Sequence, residues 1–300
     1  MNKEKVFVKI DSGSLGDSLA WCGIISDYQK RYNVEMTVCC SWNHLFKNSY
    51  PNINFVDSYN FEIKKNPTYN IGGFDDAYSL GCYEEDEKLC PEYLGSYRKL
   101  SLQNMAAGIL GYQPYTEKDI KTKLTFPETD RLIKGKTIII GTQSTAQLKY
   151  WNNPGAWDVL CKKLRKKGYT PVCIDKYDSF GDAFNINHMP KSAVDRTGLS
   201  VEDTIPYIAQ SEFFIGLSSG ISWLAWALNK KVYCIAGHTP EYYHPEDWNM
   251  IENRDGCYGC FGKHVFDKGD WMFCPEKKNF ECTREITPDM VMERIEGEAI

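Results

Sequence analysis

Twice along this chain a short apolar run ends in a turn of glycine and hydroxyl side chains and passes straight into an apolar helical pattern. The first instance is "KVFVKI", "DSGSLGD" and "SLAWCGIISDYQKRY", with Ser18 to Tyr32 as the helix; the second is "EFFIGL", "SSG" and "ISWLAWALN". In the first helix Trp21, Ile25 and Tyr28 recur at helical spacing and the charges gather at its end. A strand joined to a helix by so short a turn belongs to a crossover unit, and such units in series favour a parallel sheet.

The surrounding sequence extends both instances. "VEMTVCCS", "INFVDS" and "YNIGGF" read as strands, the stretch from Phe74 to Arg98 as an acidic loop, and "SLQNMAAGILGY" as a helix. A polar, proline-bearing linker follows near Phe126 to Gly135. A second series then runs through "KTIIIGTQS", the helix "NPGAWDVLCKKLRKKG" with Pro154 in its first turn, "YTPVCID", "SVEDTIPYIAQ" capped by Ser200, and "KVYCIAG". It closes on "TPDMVMERIEGE", with Thr287 as cap. The expectation is two Rossmann-like domains, 1–130 and 131–300, facing a cleft, with ligands at the carboxyl ends of their strands.

Composition narrows the function classes. With 300 residues, 42% of them hydrophobic, two ordinary domains can each bury a core. The net charge of -5 argues against a nucleic-acid partner, which needs a surplus of Lys and Arg on one face. The densest basic run, "KKLRKKG", falls on a predicted helix face, where solvated charge is the ordinary explanation. The opening residues lack a secretory apolar core, since Lys9 interrupts Val6 to Ile10, and no uncharged run is long enough to span a membrane. The expectation is a cytoplasmic chain whose twelve cysteines are thiols or metal ligands rather than disulfides.

Four constellations carry chemistry. In "IDSGSLGD" Gly13 and Gly16 permit a tight turn, but G-x-x-G is only part of a dinucleotide fingerprint, which ranks an NAD-dependent oxidoreductase low. Asp17 stands where a phosphate loop would offer amides; a carboxylate there suits a base that removes a proton from a hydroxyl, or else caps the helix. In "GTQSTAQLKYW" the hydroxyls of Thr142, Ser144 and Thr145 and the charge of Lys149 can hold a diphosphate without a metal ion; the plain alternative is a solvated loop. Ser218, Ser219 and Gly220 open a helix whose free amides make an anion site or simply a capping turn, and Trp223 on its first turn is a ligand platform or core. Finally, Cys257 and Cys260 form C-x2-C, with thirteen residues between Cys260 and Cys274 and seven between Cys274 and Cys282. Such a set predicts a closed tetrahedral metal site, structural rather than catalytic, across 255–285, with His264 as a substitute ligand. Cys22, Cys39, Cys40, Cys161, Cys173 and Cys234 read as small core residues, and Cys82 and Cys90 are given no role.

"SLGDSLAW", "GLSSGISWLAWALNKKVYCIAG", "TPEYYHP" and the cysteine segment ending "FECTREITPDMV" resemble the bacterial autotransporter heptosyltransferases, within the ADP-heptose transferases of glycosyltransferase family nine. The resemblance implies a GT-B fold and inverting, metal-independent transfer of heptose from ADP-heptose to an acceptor hydroxyl, with a protein as acceptor. It also implies that Asp17 is the base, that Lys149 and Ser218, Ser219 and Gly220 meet the donor diphosphate, and that the four cysteines hold one structural metal ion, Fe(III) or zinc. Lipopolysaccharide enzymes have Asp-Thr-Gly and a later histidine where this chain has Ser218-Ser219-Gly220 and Trp223, which favours the autotransporter branch. The chain is expected to begin at its first strand, whereas the protein-modifying members place a further domain ahead of it. A homo-oligomer is compatible with this reading. Its rivals are a glycosyltransferase with another donor acting on lipopolysaccharide, a small molecule or modified nucleic acid, and a non-enzymatic metal-knuckle binding module.

Overall fold

The structure is a computed structural model that describes residues 2–57, 73, 76–80, 99–111, 120–181, 186–264 and 272–297. It divides into two compact units, Met1–Phe126 and Pro127–Ile300.

In unit 1 the strands are β1 (Lys5–Ile10), β2 (Glu35–Cys39), β3 (Ile53–Val56) and β4 (Asp76–Leu80). They form one parallel sheet in the order β3-β2-β1-β4. The helices are α1 (Leu15–Tyr32), α2 (Asn43–Phe46) and α3 (Leu102–Ile109). Alternating apolar residues bury Val6 and Val8 completely, and α1 packs Leu19, Trp21 and Ile25 inward. α1 starts at Leu15, earlier than the sequence pattern suggests, because Ser14 enters it in an extended conformation without a side-chain cap. Its end is set by Asn33 in the left-handed region (φ 53°), which short polar residues tolerate.

One strand corrects the expectation that Phe74 to Arg98 is a loop. It is Asp76–Leu80, paired with β1 from Val6↔Asp76 to Ile10↔Leu80. "DAYSL" carries little apolar alternation, so the strand is held by its ladder rather than announced by its side chains. Apart from Gly73, the expected strand "YNIGGF" lies outside the described residues, as do Cys82 and Cys90.

Unit 2 holds a six-stranded sheet. Its strands are β5 (Lys136–Ile140), β6 (Tyr169–Cys173), β9 (Val194–Asp195), β10 (Phe214–Leu217), β11 (Val232–Ile235) and β12 (Asn249–Ile251), all parallel in the order β12-β11-β10-β5-β6-β9. β7 (Ser179–Phe180) and β8 (Asn187–His188) form a separate antiparallel pair. The helices are α4 (Ala156–Lys166), α5 (Val201–Ala209), α6 (Gly220–Ala227), α7 (Glu281–Arg284) and α8 (Pro288–Glu296). α4 begins after Gly155 in the left-handed region, so Pro154 stands ahead of the helix rather than in its first turn. Ser200 and Thr287 cap α5 and α8 through their hydroxyls, as expected.

The core of unit 2 joins Ile138, Ile140, Leu160, Leu164, Ile215 and Ile235 with Val291 and Ile295 of α8. Each such side chain contributes about 1.5–3 kcal/mol on burial. The basic run on α4 is engaged within the unit: Lys163 meets Asp289 at 2.7 Å and Lys167 meets Glu296 at 2.7 Å. These exposed pairs add little stability.

Candidate functional site

Each parallel sheet reverses its strand order once, between β1 and β4 in unit 1 and between β5 and β10 in unit 2. Open parallel sheets bind ligands beyond the strand carboxyl ends at such a point. The residues singled out in the sequence follow β1, β5 and β10.

In unit 2 the loops after β5 and β10 lie against one another. A side chain at Gly141 would come within 2.9 Å of Ile221 and Phe214, so glycine is what permits the approach. Thr142 is 2% exposed and spends both donors on Asp175: its amide lies 2.9 Å from Oδ2 and its hydroxyl 2.6 Å from the same oxygen. Asp175 also accepts from the Gln143 amide at 3.2 Å and the Cys173 thiol at 3.1 Å. Burial pushes its carboxyl pKa up while these donors pull it down. Thr142 therefore anchors its loop. The half-buried Ser144 donates to the Ser218 carbonyl at 3.5 Å, bridging the two loops, while Thr145 is exposed.

Ser218 is buried, and its hydroxyl lies 2.8 Å from His244 Nε2. Ser219 is the N-cap of α6 and makes no capping bond; its buried hydroxyl oxygen has no hydrogen-bond partner among the described residues. Gly220 is the first residue of α6. Trp223 is 3% exposed and packs edge-on to Trp226, with ring centroids 5.5 Å apart, and against Trp248 at 5.1 Å. It is a wall behind the turn with no open ring face.

Lys149 ends a short 3-10 helix, Gln147–Lys149. Burial first and the Lys149 charge second hold the imidazoles of His238 and His244 at a pKa of about 3, so both are neutral near pH 7. Lys149, Ser144, Ser218, His238 and His244 are thus brought together in one unit. A cation beside uncharged imidazoles and a helix start suits an anionic ligand of the diphosphate kind. The sequence reading missed Asp175, His238 and His244. The last two were detectable, because two of the chain's five histidines fall within "GHTPEYYH".

The turn after β1 is more open. Asp17 occupies the third position of α1 rather than its cap, and Ser12 Oγ donates to its Oδ2 at 2.5 Å. Trp42 Nε1 donates to the Gly13 carbonyl at 3.0 Å, and Ser18 Oγ to the Ser14 carbonyl at 3.2 Å. Asp11 pairs with Lys9 at 2.5 Å and accepts from Ser79 at 3.1 Å.

The cysteine segment docks on the loop after β11. Gly259 N donates to the Gly237 carbonyl at 2.7 Å, Phe261 N donates to the His238 carbonyl at 3.1 Å, and a side chain at Gly237 would strike Cys282 Sγ at 2.8 Å. Cys260 packs with Leu148, the residue before Lys149, and with Phe280. Its Sγ lies 3.1 Å from His238 Nδ1. Among the described residues, no group of three or more His, Cys, Asp or Glu side chains stands in an arrangement that would hold a metal ion. The thiols are nevertheless within electrostatic range of one another. Burial chiefly, then the charges of the other cysteines, push Cys260 and Cys282 up to about 12; burial also raises Cys257, with the Lys278 charge opposing it and the Cys274 charge adding to it. A bound cation would relieve that mutual repulsion, so the donor set fits a thiolate-loving metal. His264 instead lies 2.6 Å from Glu276. Cys22, Cys39, Cys40, Cys161, Cys173 and Cys234 are buried among core side chains.

No protein-family model matches the chain. The autotransporter heptosyltransferase TibC of Escherichia coli O78:H11 (strain H10407) is 34% identical over 295 residues, covering 94% of this chain and 68% of that protein. The autotransporter heptosyltransferase Aah of Escherichia coli is 33% identical over 304 residues, covering 97% and 73%. A crystal structure of TibC, described as an iron-containing dodecameric glycosyltransferase, matches with a TM-score of 0.85 at 30% identity, over 99% of this chain and 76% of that one. A second TibC structure, in complex with ADP-D-beta-D-heptose, matches with a TM-score of 0.84 at 29% identity, over the same shares of the two chains. The lipopolysaccharide heptosyltransferase II of E. coli shares the fold, with a TM-score of 0.56 at 14% identity over 98% of both chains.

Proposed function

The chain belongs to the autotransporter heptosyltransferases, and from that premise we propose that it transfers heptose from ADP-heptose to a serine or threonine hydroxyl of an autotransporter-like protein. One observation carries the assignment of roles. The residue types needed for this reaction stand at the switch points of both sheets, a carboxylate after β1 and a cation with hydroxyls after β5 and β10.

Asp17 takes the proton from the acceptor hydroxyl as its oxygen attacks the anomeric carbon. The bond from that carbon to the diphosphate breaks, and the leaving ADP carries the negative charge. Lys149 and the amides of the Ser218–Gly220 turn stabilise that charge, which grows in the transition state and so lowers its barrier most. Ser144 and Ser219 offer hydroxyls to the same group. Thr142 contributes by fixing its loop on Asp175, and Trp223 by backing the turn.

Cys257, Cys260, Cys274 and Cys282 hold one structural metal ion, iron in preference to zinc, following the iron-containing relative. When bound, it clamps the segment that supports Leu148 and His238. The chain forms a homo-oligomer in this reading and works in the cytoplasm, where its thiols stay reduced. Among the described residues no helix is long and apolar enough to cross a membrane.

The test is calorimetry with a panel of nucleotide sugars, followed by mass spectrometry of an autotransporter passenger incubated with the enzyme and ADP-heptose. The expected result is binding confined to ADP-sugars and a mass gain of whole heptosyl residues. A preference for uridine or guanosine sugars, or an unmodified passenger, would overturn it.

A further inference from the structure

We propose that Ser12 is a positioning residue for Asp17, forming a relay that orients the base; this rests on the reading of Asp17 as base. The observation is a chain of two hydrogen bonds. The Ser14 amide donates to Ser12 Oγ at 3.1 Å, and Ser12 Oγ–H donates to Asp17 Oδ2 at 2.5 Å. An amide can only donate, so it fixes the direction of the relay: Ser12 accepts from its backbone and points its single proton at the carboxylate.

The relay is held on both sides. Trp42 fastens Gly13 by its carbonyl and Ser18 fastens Ser14 by its carbonyl. Behind Ser18, the Cys40 thiol lies 3.5 Å from its hydroxyl, and the Trp42 amide donates to that sulfur at 3.3 Å. Three consecutive residues of the turn are therefore tied down, Ser12 and Ser14 to α1 and Gly13 to Trp42, the residue that precedes α2, while Ser12 and Asp17 themselves remain half-buried and reachable. A charge-assisted bond at 2.5 Å commits Oδ2 and thereby the plane of the carboxylate. Fixing a reacting group in this way raises kcat and leaves ground-state donor binding unchanged.

The bond also has a chemical signature. A donor to the charged form of a carboxylate favours that form. Losing it should move the acid limb of the kcat–pH profile upward.

The experiment compares Ser12→Ala, Ser12→Thr and Asp17→Asn, assayed as heptosyl transfer across pH with ADP-heptose as the varied substrate. Ser12→Ala should lower kcat about tenfold and shift the acid limb upward, with donor KM unchanged. Ser12→Thr, which keeps the hydroxyl, should restore both. A Ser12→Ala profile that superimposes on the wild type, or a loss confined to donor KM, would overturn the relay. Asp17→Asn separates the two claims. If it retains full activity, the reading of Asp17 as base fails first; if it is inactive while Ser12→Ala is unchanged, only the relay falls.

Discussion

The two turns at the heart of this chain are built from the same parts and protected to different degrees. The turn of residues 11–17 presents its polar side chains at a surface: Asp11, Gly13 and Ser14 are exposed, and Ser12 and Asp17 half-buried. The turn of residues 218–220 is backed by fully or nearly buried aromatics, His244 stacked on Trp248 at 5.1 Å and Trp248 against Trp223. The contrast separates two demands. In the proposed reading a base must reach an incoming hydroxyl, and its turn is fastened by hydrogen bonds at the surface while carrying little of the core. A diphosphate cradle needs fixed donors in a drier setting, so its turn is continuous with the packing of unit 2. Mutations in the first should change activity alone, and mutations in the second should change stability along with donor use.

The largest test of that separation is Asp17→Asn. It should lower kcat about a thousandfold and leave the melting temperature unchanged. Activity is read by heptosyl transfer and stability by scanning calorimetry. A variant that melts earlier would show that the first turn is as structural as the second.

Asp175→Asn should reverse the pattern. The amide cannot accept from every donor that the carboxylate satisfies, so buried groups lose partners at a cost of about 2–3 kcal/mol. The unfolding midpoint of unit 2 in urea should fall, and donor affinity should fall only where the loop has loosened. An unchanged midpoint would remove Asp175 from the support of the turn. Lys149→Ala comes next. Loss of one charged donor to the diphosphate should weaken ADP-heptose binding roughly thirtyfold, about 2 kcal/mol. Calorimetry showing unchanged affinity would take Lys149 out of the cradle.

The same contrast explains what was legible in the sequence. Lys5–Ile10, Lys136–Ile140 and Phe214–Leu217 are apolar runs bounded by turn residues, and such strands announce themselves. Asp76–Leu80 does not, because its place depends on β1 as a partner. Asp17, Lys149 and the Ser218–Gly220 turn stood out because glycine and hydroxyl residues punctuate the chain between strand and helix. Asp175 was invisible for the opposite reason. Its role lies in bonds to Thr142, 33 residues away in sequence, and no local pattern encodes a pairing across the sheet. "GHTPEYYH" marked His244 as a candidate, but not its partner Ser218, 26 residues away. The cysteine spacing pointed to a closed site. In the fold, the segment's connection to the site runs through packing, with Cys260 against Leu148 beside Lys149.

The most selective effect is one of pH. His244 is buried, and burial first and Lys149 second hold its pKa at about 3 against an ordinary 6.5. As pH falls below 6.5 the unfolded chain gains a proton that the folded imidazole refuses. Unfolding free energy should therefore decline as pH drops from 6.5 toward 3, by at most about 1.4 kcal/mol per pH unit from this group, and stay flat with respect to it above 6.5. His244→Gln keeps a polar partner for Ser218 but does not titrate, so its stability should fall less steeply between pH 6.5 and 5. The difference between the two slopes, measured by urea unfolding, isolates His244 from the carboxylates common to both proteins. Identical slopes would mean that water reaches the imidazole. The second turn would then be as open as the first, and the division between an exposed base and a buried cradle would not hold.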